Sequence, residues 1–341
     1  MNSIHQLPLW LKHHILKYYI CQSKPSDLIP LYAYPETTKI LKQLSAPEWY
    51  QIYQNDRHIM LSAGGYHGLM ISDGKILAWG NDNDGQCSKM PILPKGSHYV
   101  SVSAGQHYSL AMDSDGQIVA WGNDKFGQCT KLPKGTRYYA ISAGLYHSLA
   151  IRSDGQIVAW GSNDLGQCNV PILPDGTHYV SVCAGFFHSL AIRSDGQIVA
   201  WGDDRFNQCS SIPTATKGTC YVAISAGRFH NLALNSDGQI VAWGSNRYDK
   251  CNIPILPKGI YYLAVSAGEH HSIALNSNGQ IVAWGRDYFG QCTKIPVLPK
   301  GTHYVAVSAG LYHNLAIRSD GQIVAWGRTD RYGQCSQITS Y

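Results

Sequence analysis

Charge is scarce in this 341-residue chain: Asp, Glu, Lys and Arg together make up 14% of it. The net charge of +5 with neutral histidine is a mild excess, too small to argue for nucleic acid or an acidic membrane as partner. A hydrophobic content of 44% with 34 glycines suits a turn-rich, packed chain and goes against disorder. No apolar run approaches the roughly 20 residues of a membrane span. The apolar stretch near the start is broken by Lys12, His13, His14 and Lys17, and no small-residue cleavage site follows. The expected setting is therefore intracellular, in the cytoplasm.

The motifs of common chemistry are also missing. There is no Gly-x-Ser-x-Gly elbow, no Gly-rich phosphate loop opening a helix and no His-Glu-x-x-His. None of the ten cysteines forms a Cys-x-x-Cys pair, which excludes the usual structural zinc spacing. The expectation is a non-enzymatic protein with no cofactor, no metal and no catalytic residue.

What is present is a repeat. Its Trp-Gly pair falls at Trp79, Trp121, Trp160, Trp201, Trp243, Trp284 and Trp326, at intervals of 42, 39, 41, 42, 41 and 42 residues. Its fullest copy, from Ser142 to Cys168, parses into strands by alternation. An Ala-Gly loop follows the first strand and an Asp-Gly turn the second. A Trp-Gly loop follows the third, and Gly-Gln-Cys starts a short fourth. Asp-Gly supplies the positive φ angles of a tight type I′ hairpin, so each copy is read as an antiparallel meander. Seven stacked meanders bury faces that none could bury alone. The expected fold is all-β: a seven-bladed propeller of four-stranded antiparallel blades over residues 58–341. How the ring closes stays open.

Residues 1–57 lie outside the repeats and read as a small α-helical segment. Leu7, Leu11, Ile15 and Tyr18 share a helical face, and Ile40, Leu41 and Leu44 another. The segment is either a cap on the propeller or a docking module.

Columns that recur from repeat to repeat build the fold. The repeat histidines His67, His147, His188, His230, His271 and His313 are read as structural, because Tyr108 replaces one of them. The tryptophans are read as blade core and the seven repeat cysteines as reduced. Strand alternation puts the Ala-Gly and Trp-Gly loops on one face of the disc. The Asp-Gly turns lie on the other, with Lys95, Lys134, Lys217, Lys258 and Lys300 as a solvated ring. All six phenylalanines fall in the first face's loops: Phe126, Phe186, Phe187, Phe206, Phe229 and Phe289. Tyr66, Tyr146, Tyr248, Tyr288, Tyr312 and Tyr332 share these loops with Arg205, Arg228, Arg247, Arg286, Arg328 and Arg331. Aromatic residues and Arg dominate interface hot spots. The candidate partner-binding set is the phenylalanines with Tyr248, Tyr288, Tyr332, Arg205, Arg228, Arg247 and Arg286. The alternative is that some rings fill the mouth between blades. The first Trp-Gly loop, Asn81-Asp82-Asn83-Asp84, is acidic, whereas the loops of repeats four to seven pair Arg with Phe or Tyr. That asymmetry suits one partner lying across the disc of a monomer.

Gly-x-x-His-Ser-Leu-Ala followed by Asp-Gly-x-Ile-Val-Ala-Trp-Gly and Gly-Gln resembles the regulator-of-chromosome-condensation repeat over roughly residues 58–338. The length of about 41 residues is nearer the compact bacterial form, similar to the propeller-type β-lactamase inhibitors. The resemblance implies a seven-bladed propeller and, as an alternative function, regulation or nucleotide exchange of a small GTPase of the Ran type. The exchange factors use an inserted wedge that no repeat here carries. Leu7-Pro8 through Leu31, with Trp49, resembles an F-box. That resemblance implies a ubiquitin-ligase adaptor bound to residues 1–57 and, in a bacterial chain, an effector delivered into a host cell.

Overall fold

The protein is described from a computed structural model, which covers residues 60–328 and 332–338. The helices, cap and F-box-like module expected in residues 1–57 lie outside these residues, as does Arg331. The described residues form seven antiparallel sheets, each from one repeat. Blade 1 uses Leu61–Ala63, His67–Ser72 and Lys75–Gly80; blade 4 uses Tyr179–Ala184, His188–Arg193 and Ile198–Gly202; blade 7 uses Tyr304–Ala309, His313–Arg318 and Ile323–Gly327. In blade 4 Ser189 faces Trp201 and Leu190 faces Ala200, and the other blades keep this register.

The blades have three strands, not the four expected. The Gly-Gln-Cys segment is held in a turn by a side chain five residues earlier. Asp124 Oδ1 accepts the Cys129 and Thr130 amides at 2.6 and 3.2 Å, and Asp204 Oδ1 accepts those of Cys209 and Ser210. An amide capped by a carboxylate is not available to a strand ladder. The type I′ expectation also fails in six repeats. Only Asp73-Gly74 has positive φ at both residues, 49° and 72°. Elsewhere the loop is one residue longer and only the glycine is left-handed, as in the three-residue hairpin where Asp113 N donates to Gln117 O.

The core lies between blades. Leu190, Ile192 and Ile198 of blade 4 pack on Tyr221, Ala233 and Trp243 of blade 5. Each Trp also reaches back one blade: the Trp243 Nε1–H donates to Gln208 O at 3.0 Å, and Trp201 to Gln167 O at 2.9 Å. The closure left open by the sequence is answered by the same bond. Blade 1 pairs its own strands, and Trp79 Nε1–H donates to Gln334 O at 3.2 Å. A second circle runs around the axis, where one first-strand side chain of each blade, Ser in six blades and Cys183 in blade 4, accepts an amide of the next blade. Ser62 Oγ accepts Ala104 N at 2.9 Å, and Ser308 Oγ closes the circle on Ala63 N at 3.0 Å.

The histidine column has the structural role expected of it. His147 Nε2 pairs with Ser189 Oγ at 2.9 Å, and His188 Nε2 with Asn231 Oδ1 at 2.6 Å, each in the following blade. Tyr108 substitutes by donating its hydroxyl to His147 O at 2.6 Å. The bond is missing once. The residue facing His313 is Gly68, where a Cβ would sit 2.4 Å from the Trp79 ring, so His313 Nε2 has no partner among the described residues. Among the described residues the closing seam buries Met70, Trp79 and Leu315.

The repeat cysteines are half-buried, and Cys87, Cys129, Cys168, Cys209, Cys251 and Cys292 are unbridged thiols. Cys129 Sγ donates to Asn123 O at 3.4 Å, and burial pushes its thiol up to about 12, which suits a structural rather than a reactive cysteine.

The candidate partner-binding face

The Ala-Gly loops crowd the axis. A Cβ at Gly144 would come within 2.5 Å of Gly185 O and 2.7 Å of the His147 ring, so only glycine allows these loops to nest. The next two residues then emerge on the same face as the Trp-Gly loops, as strand alternation requires. The ring contacts show this meeting: Phe187 stacks on Phe229 at 6.0 Å, and Phe206 from a Trp-Gly loop packs on Phe229 at 4.9 Å. The linker residues Lys95, Lys134, Lys217, Lys258 and Lys300 are all exposed.

The candidate residues fall into three groups. In blades 4 and 5, Phe186, Phe187, Phe206 and Phe229 form one aromatic patch. Arg205 and Arg228 lie over the Phe229 ring at 5.7 and 5.1 Å. In blades 5 to 7, Tyr248, Tyr288, Phe289 and Tyr312 alternate with Arg247, Arg286 and Arg328. Tyr332 continues this group, with its ring 5.3 Å from that of Tyr66. Phe126 stands apart on blades 2 and 3, packed on Tyr146 at 4.9 Å under Lys125. Tyr288, Phe206 and Tyr248 are 76%, 47% and 37% exposed. The remaining phenylalanines are half-buried, Phe186, Phe187 and Phe229 against other phenylalanine rings and Phe126 and Phe289 against tyrosines.

Glu269 joins the first two groups, and the sequence reading overlooked it. It is the one acidic residue in the two positions after Ala-Gly, and it is 4% exposed. Arg228 Nη1 donates to its Oε1, and His270 Nε2 lies 3.4 Å from the same oxygen. Burial alone would push this carboxyl up, but hydrogen bonds from His270, Tyr312 and Arg228 outweigh it and hold the group down to about 2. Burial and the Glu269 charge together push the Tyr312 hydroxyl up to about 12.

Lys250 was also missed. In six repeats a buried Gln accepts the amide two residues before it, as Gln208 Oε1 does from Phe206 N at 2.9 Å. Repeat five has Lys250 there, 1% exposed, and an ammonium cannot accept a hydrogen bond. The Tyr248 backbone turns left-handed, φ 69°, within a short 3-10 turn over Arg247–Asp249. This sets the Tyr248 ring against His270 at 5.4 Å and between Arg247 and Arg286. Burial pushes the Lys250 amine down to about 8.

Comparison with known proteins places this architecture. The pattern described as "Regulator of chromosome condensation (RCC1) repeat" matches residues 99–128, 139–167, 179–208, 221–249, 263–291 and 304–334. The chain belongs to the RCC1-repeat family. The matched stretches of this RCC1-repeat chain begin at blade 2; blade 1, with its shortened hairpin and Gly68, lies before them. No curated protein sequence matches the chain.

Solved structures share the fold at low identity. Human WBSCR16 is 18% identical, with a TM-score of 0.62, over 76% of this chain and 86% of its own. Prp20p of Saccharomyces cerevisiae, a protein examined for binding to Gsp1p and histones, is 18% identical, with a TM-score of 0.60, over 80% and 82%. The ectodomain of the Arabidopsis thaliana receptor kinase ACR4 is 22% identical, with a TM-score of 0.60, over 82% and 97%. Among the described residues no helix is long and apolar enough to cross a membrane, and no group of three His, Cys, Asp or Glu is arranged to hold a metal ion.

Proposed function

We propose that this RCC1-repeat propeller is a non-catalytic binding module that takes a protein partner on its Ala-Gly and Trp-Gly loop face. The observation that carries the reading is the concentration of exposed aromatic rings and Arg on one sector of one face, in blades 4 to 7. Tyr288 at 76% and Phe206 at 47% exposure hold apolar surface in water that a partner would cover. Neighbouring half-buried rings brace them, so little side-chain entropy remains to be lost on binding. The family resemblance also implies action on a small GTPase. Repeat intervals of 39 to 42 residues leave no room for an inserted wedge, so the reading is binding without exchange.

Hydrogen exchange on the complex tests the placement. A partner captured by the whole protein is expected to slow exchange in the Trp-Gly loops of blades 4 to 7, around residues 203–207, 245–249 and 286–290 and at Arg328. The Asp-Gly turns should exchange as in the free protein. Protection confined to the Asp-Gly turns and the Lys linkers would overturn the reading.

A further inference from the structure

The geometry points to an acidic peptide segment as what the blade 5 to 7 sector of this face binds, with its carboxylates held by Arg247, Arg286 and Arg328. This rests on the proposed function and names the chemistry of the partner.

The sector is a strip in which cations and rings alternate. Arg247 and Arg286 lie on Tyr248 at 4.9 and 5.1 Å, and Arg286 also lies 5.7 Å from Tyr288. Tyr288 meets Phe289 edge-on at 4.9 Å. Arg328 lies between Phe289 and Tyr312, at 4.9 and 5.6 Å. Stacking holds each guanidinium plane in place and leaves its N–H edges to donate. Beside the strip, Tyr288, Phe289, Lys294 and Arg328 line a surface cavity of about 430 Å³ that could receive a neighbouring side chain.

The same face shows what such an Arg takes when a carboxylate is within reach. Arg205 binds Asp203 through two bonds, Nε to Oδ1 at 2.8 Å and Nη2 to Oδ2 at 2.9 Å, and Arg228 binds Glu269. Arg247, Arg286 and Arg328 sit on similar loops and have no carboxylate partner among the described residues. The nearby acids are already engaged: Asp287 accepts the Cys292 and Thr293 amides and the Thr293 hydroxyl, Asp249 accepts Asn252 Nδ2 at 2.9 Å, and Glu269 is held by Arg228. Three positive charges in a row repel one another, and carboxylates placed along the row relieve that repulsion. Forked guanidinium groups suit carboxylates in two-bond geometry.

A nucleic acid strand fits less well. It needs a continuous positive track, and the Trp-Gly loops of blades 1 to 3 set Asp82, Asp84, Asp124 and Asp164 across its path. A peptide with a local acidic cluster needs only the one sector.

The test uses the full-length protein and a short fluorescent peptide of alternating Glu and Tyr, followed by anisotropy at low salt. The expected result is saturable binding that weakens about tenfold or more in the combined R247Q, R286Q and R328Q variant. Glutamine keeps part of each stem on its ring, and an unchanged thermal transition certifies the fold. A Lys–Tyr peptide should not bind, and single-stranded DNA of matched charge should not displace the acidic peptide. Equal binding by the Gln variant, or displacement by the DNA, would overturn the inference. The hydrogen-exchange footprint separates this from the parent reading. A footprint on the loop face with no Glu–Tyr binding removes only the acidic chemistry, whereas a footprint on the Asp-Gly face removes both.

Discussion

Lowering the pH from about 7 to about 5 is expected to unfold the propeller in a cooperative transition. The cause is the histidine column. His67, His147, His188, His230, His271 and His313 are at most 1% exposed, and the Nδ1 of each lacks a hydrogen-bond partner among the described residues. Burial is the largest influence on each and disfavours the imidazolium. It brings His67, His147 and His313 down to about 3 and His271 to about 4, and it lowers His188 and His230 as well. The unfolded chain takes these protons near pH 6.5, and the fold refuses them until far lower pH. Between those limits the unfolded state binds more protons, so stability falls as the pH drops. At pH 5 the penalty is about 2 kcal/mol for each histidine whose pKa is that depressed. Several such penalties approach a typical net stability of about 5–15 kcal/mol. Thermal unfolding followed by circular dichroism at stepped pH checks this. Equal midpoints at pH 7 and 5 would show that the buried imidazoles take up protons without cost.

Trp243→Ala is expected to cost about 3–5 kcal/mol, the range for emptying a large aromatic site in a packed core. The ring is 5% exposed and fills the seam between blades 4 and 5, against Leu190, Ile192 and Ile198. Its Nε1–H also bonds Gln208 O, and Asn231 Nδ2 donates to the same carbonyl at 2.7 Å, so the substitution loses a cross-blade bond without orphaning the acceptor. Trp243→Phe should cost less, because a ring still fills the site and the lost bond accounts for about 1 kcal/mol. Urea unfolding of the two variants beside the parent protein reads the difference. If Trp243→Ala matches the parent, the cross-blade seam is not what holds the ring together.

Much of this architecture was legible in the repeat because its period is a backbone property. Trp-Gly spacing gave blade number, and alternation put both loop types on one face. The histidine partner was also visible in principle, since Ser or Asn follows the column residue in six repeats and Gly68 in the seventh. The misread fourth strand turned on side chains. Asp124 and its equivalents compete for amides that a strand would use, and strand alternation does not register that competition. The Asp-Gly turns were misjudged because one extra residue, such as Asp113, changes the hairpin class while the dipeptide stays the same. At the candidate site, the residue types were readable and their grouping was not. Arg228 and Glu269 are 41 residues apart and meet only because adjacent blades superpose their loops. Lys250 was not singled out in the sequence, yet it occupies the buried glutamine column beside the left-handed Tyr248.

The central claim is that the loop face of blades 4 to 7 holds a protein partner. The most direct measurement is affinity capture by the full-length protein beside a variant in which Phe186, Phe187, Phe206 and Phe229 are all replaced by alanine. The variant, verified as folded by its thermal transition, is expected to lose the captured partner, with affinity falling at least about tenfold. Capture of the same partner by the folded variant at parental affinity would contradict the account.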